Sequence, residues 1–262
     1  MGCSAFIEYP NVRGQGIVEQ ISTFMIVGFV AQMIDGTLGM AYGVSATTFL
    51  LALGISPSVA SASVHASEVV TTGISGLSHH SFGNVDRYLV RRLIIPGVIG
   101  AVFGVYILTS IPGETIKPFV SAYLLVMGLF ILMKALRRVA QSRVVTHLVP
   151  LGLVGGFFDA IGGGGWGPVV VSTLLSRGNH VRFTIGSVNF AEFFVALAAS
   201  LTFVLTIGLS YWQAIVGLAI GGAVAAPTAA YACKKVPTRG LMALVGIMLV
   251  VLSVRTLYQV LE

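Results

Sequence analysis

The chain has 262 residues, of which 56% are hydrophobic and only 9% charged, against roughly a quarter charged in a soluble domain. With a mean hydropathy of +0.94 and apolar runs recurring from Ile17 to Leu257, nearly all of it reads as membrane-embedded, leaving no room for a soluble domain of ordinary size. The net charge of +6 lies in short basic clusters between apolar runs, which makes it a topology signal and excludes a nucleic-acid footprint.

The N-terminal tail, residues 1–16, opens M-G-C-S, but the myristoylation pattern wants Ser or Thr where Phe6 stands, so no lipid anchor is expected. Cys3 and Cys233 are too few for a disulfide framework, and no spacing suggests a metal site or a cofactor. A first set of apolar segments runs from Ile17 to Asp35, Met40 to Leu53, Pro57 to Ser78, Leu89 to Ile111 and Phe119 to Leu136. After a polar linker, residues 139–146, a second set runs from His147 to Asp159, Gly165 to Leu175, Val181 to Ile207, Tyr211 to Cys233 and Leu241 to Leu257. The expected fold is an all-α polytopic membrane protein in one integral membrane domain, with repeats at 17–138 and 147–262.

The first two segments of each set are short and joined by a Gly-rich stretch. An arm of about 12 to 18 residues reaches only ~18 to 27 Å, less than the ~30 Å bilayer core. The expectation is a re-entrant hairpin or two broken helices, followed by three transmembrane helices, in each half.

The two sets are copies. Laid over each other at an offset of 124 positions, Asp35 meets Asp159, Gly39 meets Gly163, Tyr42 meets Trp166 and Gly43 meets Gly167. The same register brings Ser63 onto Ser187 and Glu68 onto Glu192, and after one inserted position Gly97 meets Gly222. Lys and Arg in short loops mark the cytoplasmic side: Arg87, Arg91 and Arg92; Lys134, Arg137, Arg138 and Arg143; Arg177 and Arg182; Lys234, Lys235 and Arg239. Walking the chain with these marks puts both termini outside and the linker inside. Equivalent segments then run in opposite directions, the inverted-topology arrangement of many secondary transporters.

Only nine acids occur, and four of them, Asp35, Asp159, Glu68 and Glu192, lie within apolar segments as two repeat-related pairs. Ionisable groups at bilayer depth face a cavity or a partner by default and carry function. His65 and Glu68 are three positions apart, as are Asn189 and Glu192, so each pair shares one helix face, with Ser63 and Ser187 nearby. One reading makes these side chains a substrate path with Glu68 and Glu192 as proton carriers; another makes them polar contacts between helices. Asp35 and Asp159 stand where an arm ends, so a structural role, capping free N–H groups of the turn, is weighed beside proton coupling.

The turn of the second half reads D-A-I-G-G-G-G-W-G-P, and Gly162, Gly164 and Gly167 satisfy G-x-G-x-x-G. A dinucleotide fold would need a strand before and a βαβ unit around it, which two membrane segments cannot supply. A free linker is excluded as well, because unpaired backbone cannot face lipid. What remains is unwound backbone lining a cavity, with N–H groups and a helix N-terminus aimed at an anion. Gly163, Gly164, Gly165, Trp166 and Gly167 would form one half of this site, and Gly39, Tyr42 and Gly43 the other. A competing role for these glycines is close helix packing, which is the role assigned to Gly97, Gly100 and Gly104.

The two copies of G-x-x-x-x-x-x-D-x-x-x-G, the tract Asp159 to Pro168 and the segment G-S-V-N-F-A-E from Gly186 to Glu192 resemble the sulfite exporter TauE/SafE family, also called the 4-toluene sulfonate uptake permease family. The likeness covers almost the whole chain. It implies a bacterial inner-membrane permease for sulfite or small organosulfonates such as sulfoacetate, often an exporter; a homodimer is common for permeases of this size. An anion channel with the same pore is the alternative. An intramembrane serine protease is a third class, because Gly73 to Gly76 spells G-x-S-G around Ser75, with His65 and His79 as candidate bases.

Overall fold

A computed structural model describes residues 16–38, 40–136, 147–209, 211–232 and 238–261. Gly39, the linker 139–146 and the tail 1–15 therefore lie outside the described residues.

Among the described residues the chain is helical and has no strand. The first half folds as α1 (Ile17–Leu38), α2 (Tyr42–Ala52), α3 (Pro57–Ser81), α4 (Arg87–Ser110) and α5 (Gly113–Leu136). The second folds as α6 (Leu148–Gly162), a π-helical turn (Gly167–Val171) running into α7 (Ser172–Ser176), then α8 (Val181–Thr206), α9 (Trp212–Ala232) and α10 (Thr238–Leu261). Local chemistry sets the boundaries. Pro57 opens α3 at the position where a missing N–H costs nothing. The Asp86 carboxylate accepts from Tyr88 N–H at 2.8 Å and caps α4. Helix α5 starts six residues before the apolar run, because the Pro112 carbonyl takes the N–H groups of Thr115 and Ile116 and Glu114 sits at the positive end of the helix.

Six stretches are long and apolar enough to cross a membrane: Ile17–Gly36, Arg87–Ser110, Gly113–Leu136, Arg182–Thr206, Trp212–Ala229 and Met242–Gln259. This corrects the expected short arm of the first half. At 1.5 Å per residue the 22-residue α1 reaches about 33 Å, whereas the 15-residue α6 keeps the predicted shortness. The difference comes from the turn: the helix continues through Asp35 and Gly36 in the first half, while Gly163, with φ of 62°, stops it in the second. Helix α3 has the length of a span but not the hydropathy. Its buried side chains include Ser61, Ser63, His65, Ser67, Glu68, Thr71 and Thr72, so its first half lies inside the bundle, while Val70, Ile74 and Leu77 of its second half are exposed.

The packing exchanges partners between halves. Helix α1 lies along α9 and α6 along α4; α3 pairs with α8, and α5 with α10. Under the repeat correspondence these contacts map onto one another. Small residues permit both crossings. A Cβ added at Gly100 would fall 2.2 Å from the Leu153 carbonyl oxygen, and one at Gly221 would fall 2.0 Å from that of Met25. Gly97 and Gly104 likewise face α6 and its following turn, so the packing role expected of that glycine stripe holds.

Candidate functional site

The two Gly-rich turns meet. A Cβ added at Gly43 would fall 2.4 Å from the Gly163 carbonyl oxygen, and one at Gly164 would fall 2.1 Å from the Val44 nitrogen. Only glycine lets two backbones approach this closely. The contact is fastened by Thr47, whose hydroxyl donates to the Gly163 carbonyl at 2.9 Å. Tyr123 of α5 donates to the Gly164 carbonyl at 3.4 Å, and its ring stacks on Phe158.

Each turn is held by its own aspartate. Asp159 Oδ1 accepts the N–H groups of Gly165 and Trp166 at 2.7 and 2.9 Å, and its backbone carbonyl accepts that of Gly164 at 3.0 Å. In the first half Asp35 Oδ1 accepts the Tyr42 N–H at 3.4 Å, the equivalent bond in a looser form. Both aspartates are buried.

The aromatic residues after the turns also occupy equivalent places. The Trp166 indole N–H donates to the Val188 carbonyl of α8 at 3.2 Å, and the ring lies against Gly97 of α4. The Tyr42 hydroxyl is 3.1 Å from the Ser67 hydroxyl and 3.2 Å from the Leu218 carbonyl of α9, and Ser67 in turn donates to the Val64 carbonyl. Val64 and Val188 are themselves a pair in the 124-residue register. In this arrangement both polar groups are bonded within the protein rather than aimed at a vacant cavity.

Behind the turns, atoms of His65, Glu68 and Asp159 converge within 4.8 Å of one another. His65 Nε2 lies 3.3 Å from Asp159 Oδ2, with both side chains fully buried. Glu68 is 1% exposed and its Oε2 has no hydrogen-bond partner. Glu192 on α8 is buried too and close enough to Asp35 and Asp159 to feel their charge.

The other predicted residues sit differently. Asn189 accepts from the Ser75 hydroxyl at 3.3 Å and donates to the Ile185 carbonyl. The Ser187 hydroxyl accepts the Asp86 N–H at 2.7 Å, beside the α3–α4 connection, and Ser63 bonds the Val59 carbonyl of its own helix. Gly167 opens the π-helical turn. Ser75 thus faces an amide, while His65 faces Asp159 and His79 faces Asn84, so no serine triad is assembled among these residues. Thr47 and Tyr123, which hold the second turn from neighbouring helices, and Ser61, whose hydroxyl donates to the Ala160 carbonyl near the end of α6, carried no sequence signal: none lies within a turn, and each is an ordinary helical residue until the bundle closes.

The model of the sulfite exporter TauE/SafE family matches residues 24–256 of the chain. The chain is also 43% identical over 250 residues to the probable membrane transporter protein YtnM of Bacillus subtilis (strain 168), covering 92% of this chain and 83% of that relative. No solved structure matches it significantly. With helices fit to cross a membrane several times, and with this coverage, the chain belongs to the TauE/SafE sulfite exporter family and is a multi-pass membrane transporter, not an enzyme.

Proposed function

We propose that the chain is a secondary transporter for small sulfur-containing anions, sulfite or organosulfonates such as sulfoacetate, working by alternating access around the junction of the two turns. The observation that carries this reading is the abutment of Gly43 and Gly164 from opposite halves, with Asp159, His65 and Glu68 gathered behind it. The N–H groups that suit an oxyanion are those now held by Asp35 and Asp159. Substrate and carboxylates therefore compete for the same donors, and two negative charges at such range repel strongly in a low dielectric. Proton uptake by the buried acids relieves that conflict, which supports proton coupling through this cluster and through Glu68 and Glu192. The repeat together with the basic loops supports an inverted topology with both termini outside, read as periplasmic for a bacterial inner-membrane protein, and the assembly is read as a homodimer.

Flux in proteoliposomes tests this. Purified protein should move sulfite or sulfoacetate, accumulate it uphill under an imposed pH gradient, and lose that accumulation in Glu192→Gln. Flux that only dissipates an existing anion gradient means a channel, and no flux of any sulfur anion sinks the reading.

A further inference from the structure

The histidine at the centre of the cluster has its protonation dictated by its neighbours. His65 Nδ1 lies 2.8 Å from the Ser61 carbonyl oxygen, which only accepts, so Nδ1 carries a hydrogen. The Ser61 hydroxyl, also near Nδ1, gives its own hydrogen to the Ala160 carbonyl at 2.6 Å. A neutral His65 would then present a bare lone pair on Nε2 to the Asp159 Oδ2 at 3.3 Å, two acceptors in direct contact. Such a contact is repulsive, and both groups are fully buried. A proton between them removes the conflict, whichever of the two atoms it is bonded to.

We propose that the His65–Asp159 pair is the seat of the coupled proton: in the closed arrangement it holds one proton between Nε2 and Oδ2, and releases it when the turns separate. This rests on the proposed transport reading and deepens it, moving His65 from the substrate to the coupling machinery. The location explains why proton and anion would be linked. The other oxygen of the same carboxylate, Oδ1, holds Gly165 and Trp166, so the charge of Asp159 and the N–H groups of the second turn cannot change independently. The titratable groups around the pair are Glu68 on α3, Glu192 on α8, Asp35 on α1, Tyr42 on α2 and Tyr123 on α5. Helix α6 adds only Asp159 itself, α9 carries no acid, lysine, arginine or histidine, and the arginines and tyrosines of α4 are exposed. The unpaired Glu68 Oε2 beside the pair is the natural acceptor once the proton leaves.

The first measurement compares flux with and without an imposed pH gradient, in the full chain and in His65→Gln. The wild-type ratio should exceed that of the variant by at least about fivefold, the lower end of ordinary coupling factors. A His65→Gln variant that keeps the wild-type ratio overturns the proposal. Should wild type move no sulfur anion, the transport reading falls and the pair is judged by spectroscopy alone. That second measurement uses 15N-histidine labelling of a variant in which His79, His80, His147 and His180 are replaced, so that only His65 reports. A ring protonated at both nitrogens, or at Nδ1 with Nε2 accepting a proton from Asp159, is the expected state. An unprotonated Nδ1, a neutral ring with a free Nε2, or one equivalent of transition metal bound at the cluster overturns it.

Discussion

Gly43 and Gly164 touch backbone to backbone: a Cβ added at Gly164 falls 2.5 Å from Gly43 Cα, and one added at Gly43 falls 2.6 Å from Gly164 Cα. Neither neighbour is the end of a flexible side chain, so neither can move aside without shifting a turn. Gly43→Ala and Gly164→Ala should each lower thermal stability by about 1–3 kcal/mol, the cost of overpacking, and abolish anion flux. Gly240→Ala is the control, because nothing lies within 4 Å of its added Cβ. Melting temperature in detergent and liposome flux check all three.

Trp166 is fully buried between α4 and α8 and uses its indole N–H on a backbone carbonyl. Trp166→Ala should cost about 3–5 kcal/mol through the cavity it leaves. Trp166→Phe keeps most of the volume and should cost about 1 kcal/mol for the lost hydrogen bond. Flux should therefore survive in the phenylalanine variant and fail in the alanine one. A folded Trp166→Phe protein with no flux would place the indole nitrogen in the transport step itself.

The two aspartates are repeat-related but unequal. Asp159 holds two N–H groups and His65, whereas Asp35 holds one N–H group at 3.4 Å. Asp159→Asn should destabilise by about 1.5–3 kcal/mol, the range for hydrogen bonds to a charged or ionic partner, and Asp35→Asn by clearly less. Thermal melts of both variants, side by side, measure the difference.

The proposed inverted arrangement has a direct chemical test. With Cys3 and Cys233 replaced by serine, a single cysteine at exposed Phe82, in the α3–α4 connection, and one at Leu209, in the equivalent α8–α9 connection, should react with a membrane-impermeant maleimide from opposite sides. Labelling of both from the same side refutes inversion.

The segments were legible in the sequence because lipid imposes a composition and helices a length. Most boundaries fall within a few residues of the apolar runs, and the longer starts of α5 and α10 are polar turns that hydropathy does not register. The length of α1 is not legible from local sequence, because Asp35 and Gly36 look like an end, yet both remain helical. The aspartates and the turn glycines could be found from the repeat alone. Thr47, Ser61 and Tyr123 could not, since their roles depend on which helix arrives beside them.

What the sequence determined by itself was the membrane solvent, the 124-position register that pairs its two halves and the list of acids too costly to bury without purpose, since each follows from composition or spacing along the chain. Only the tertiary structure decided how these parts are joined: that the turns touch at Gly43 and Gly164, and that His65 meets Asp159 across the two halves. Those contacts join residues about a hundred positions apart, and no local pattern specifies which of several buried polar groups a folded bundle will bring to hydrogen-bond distance.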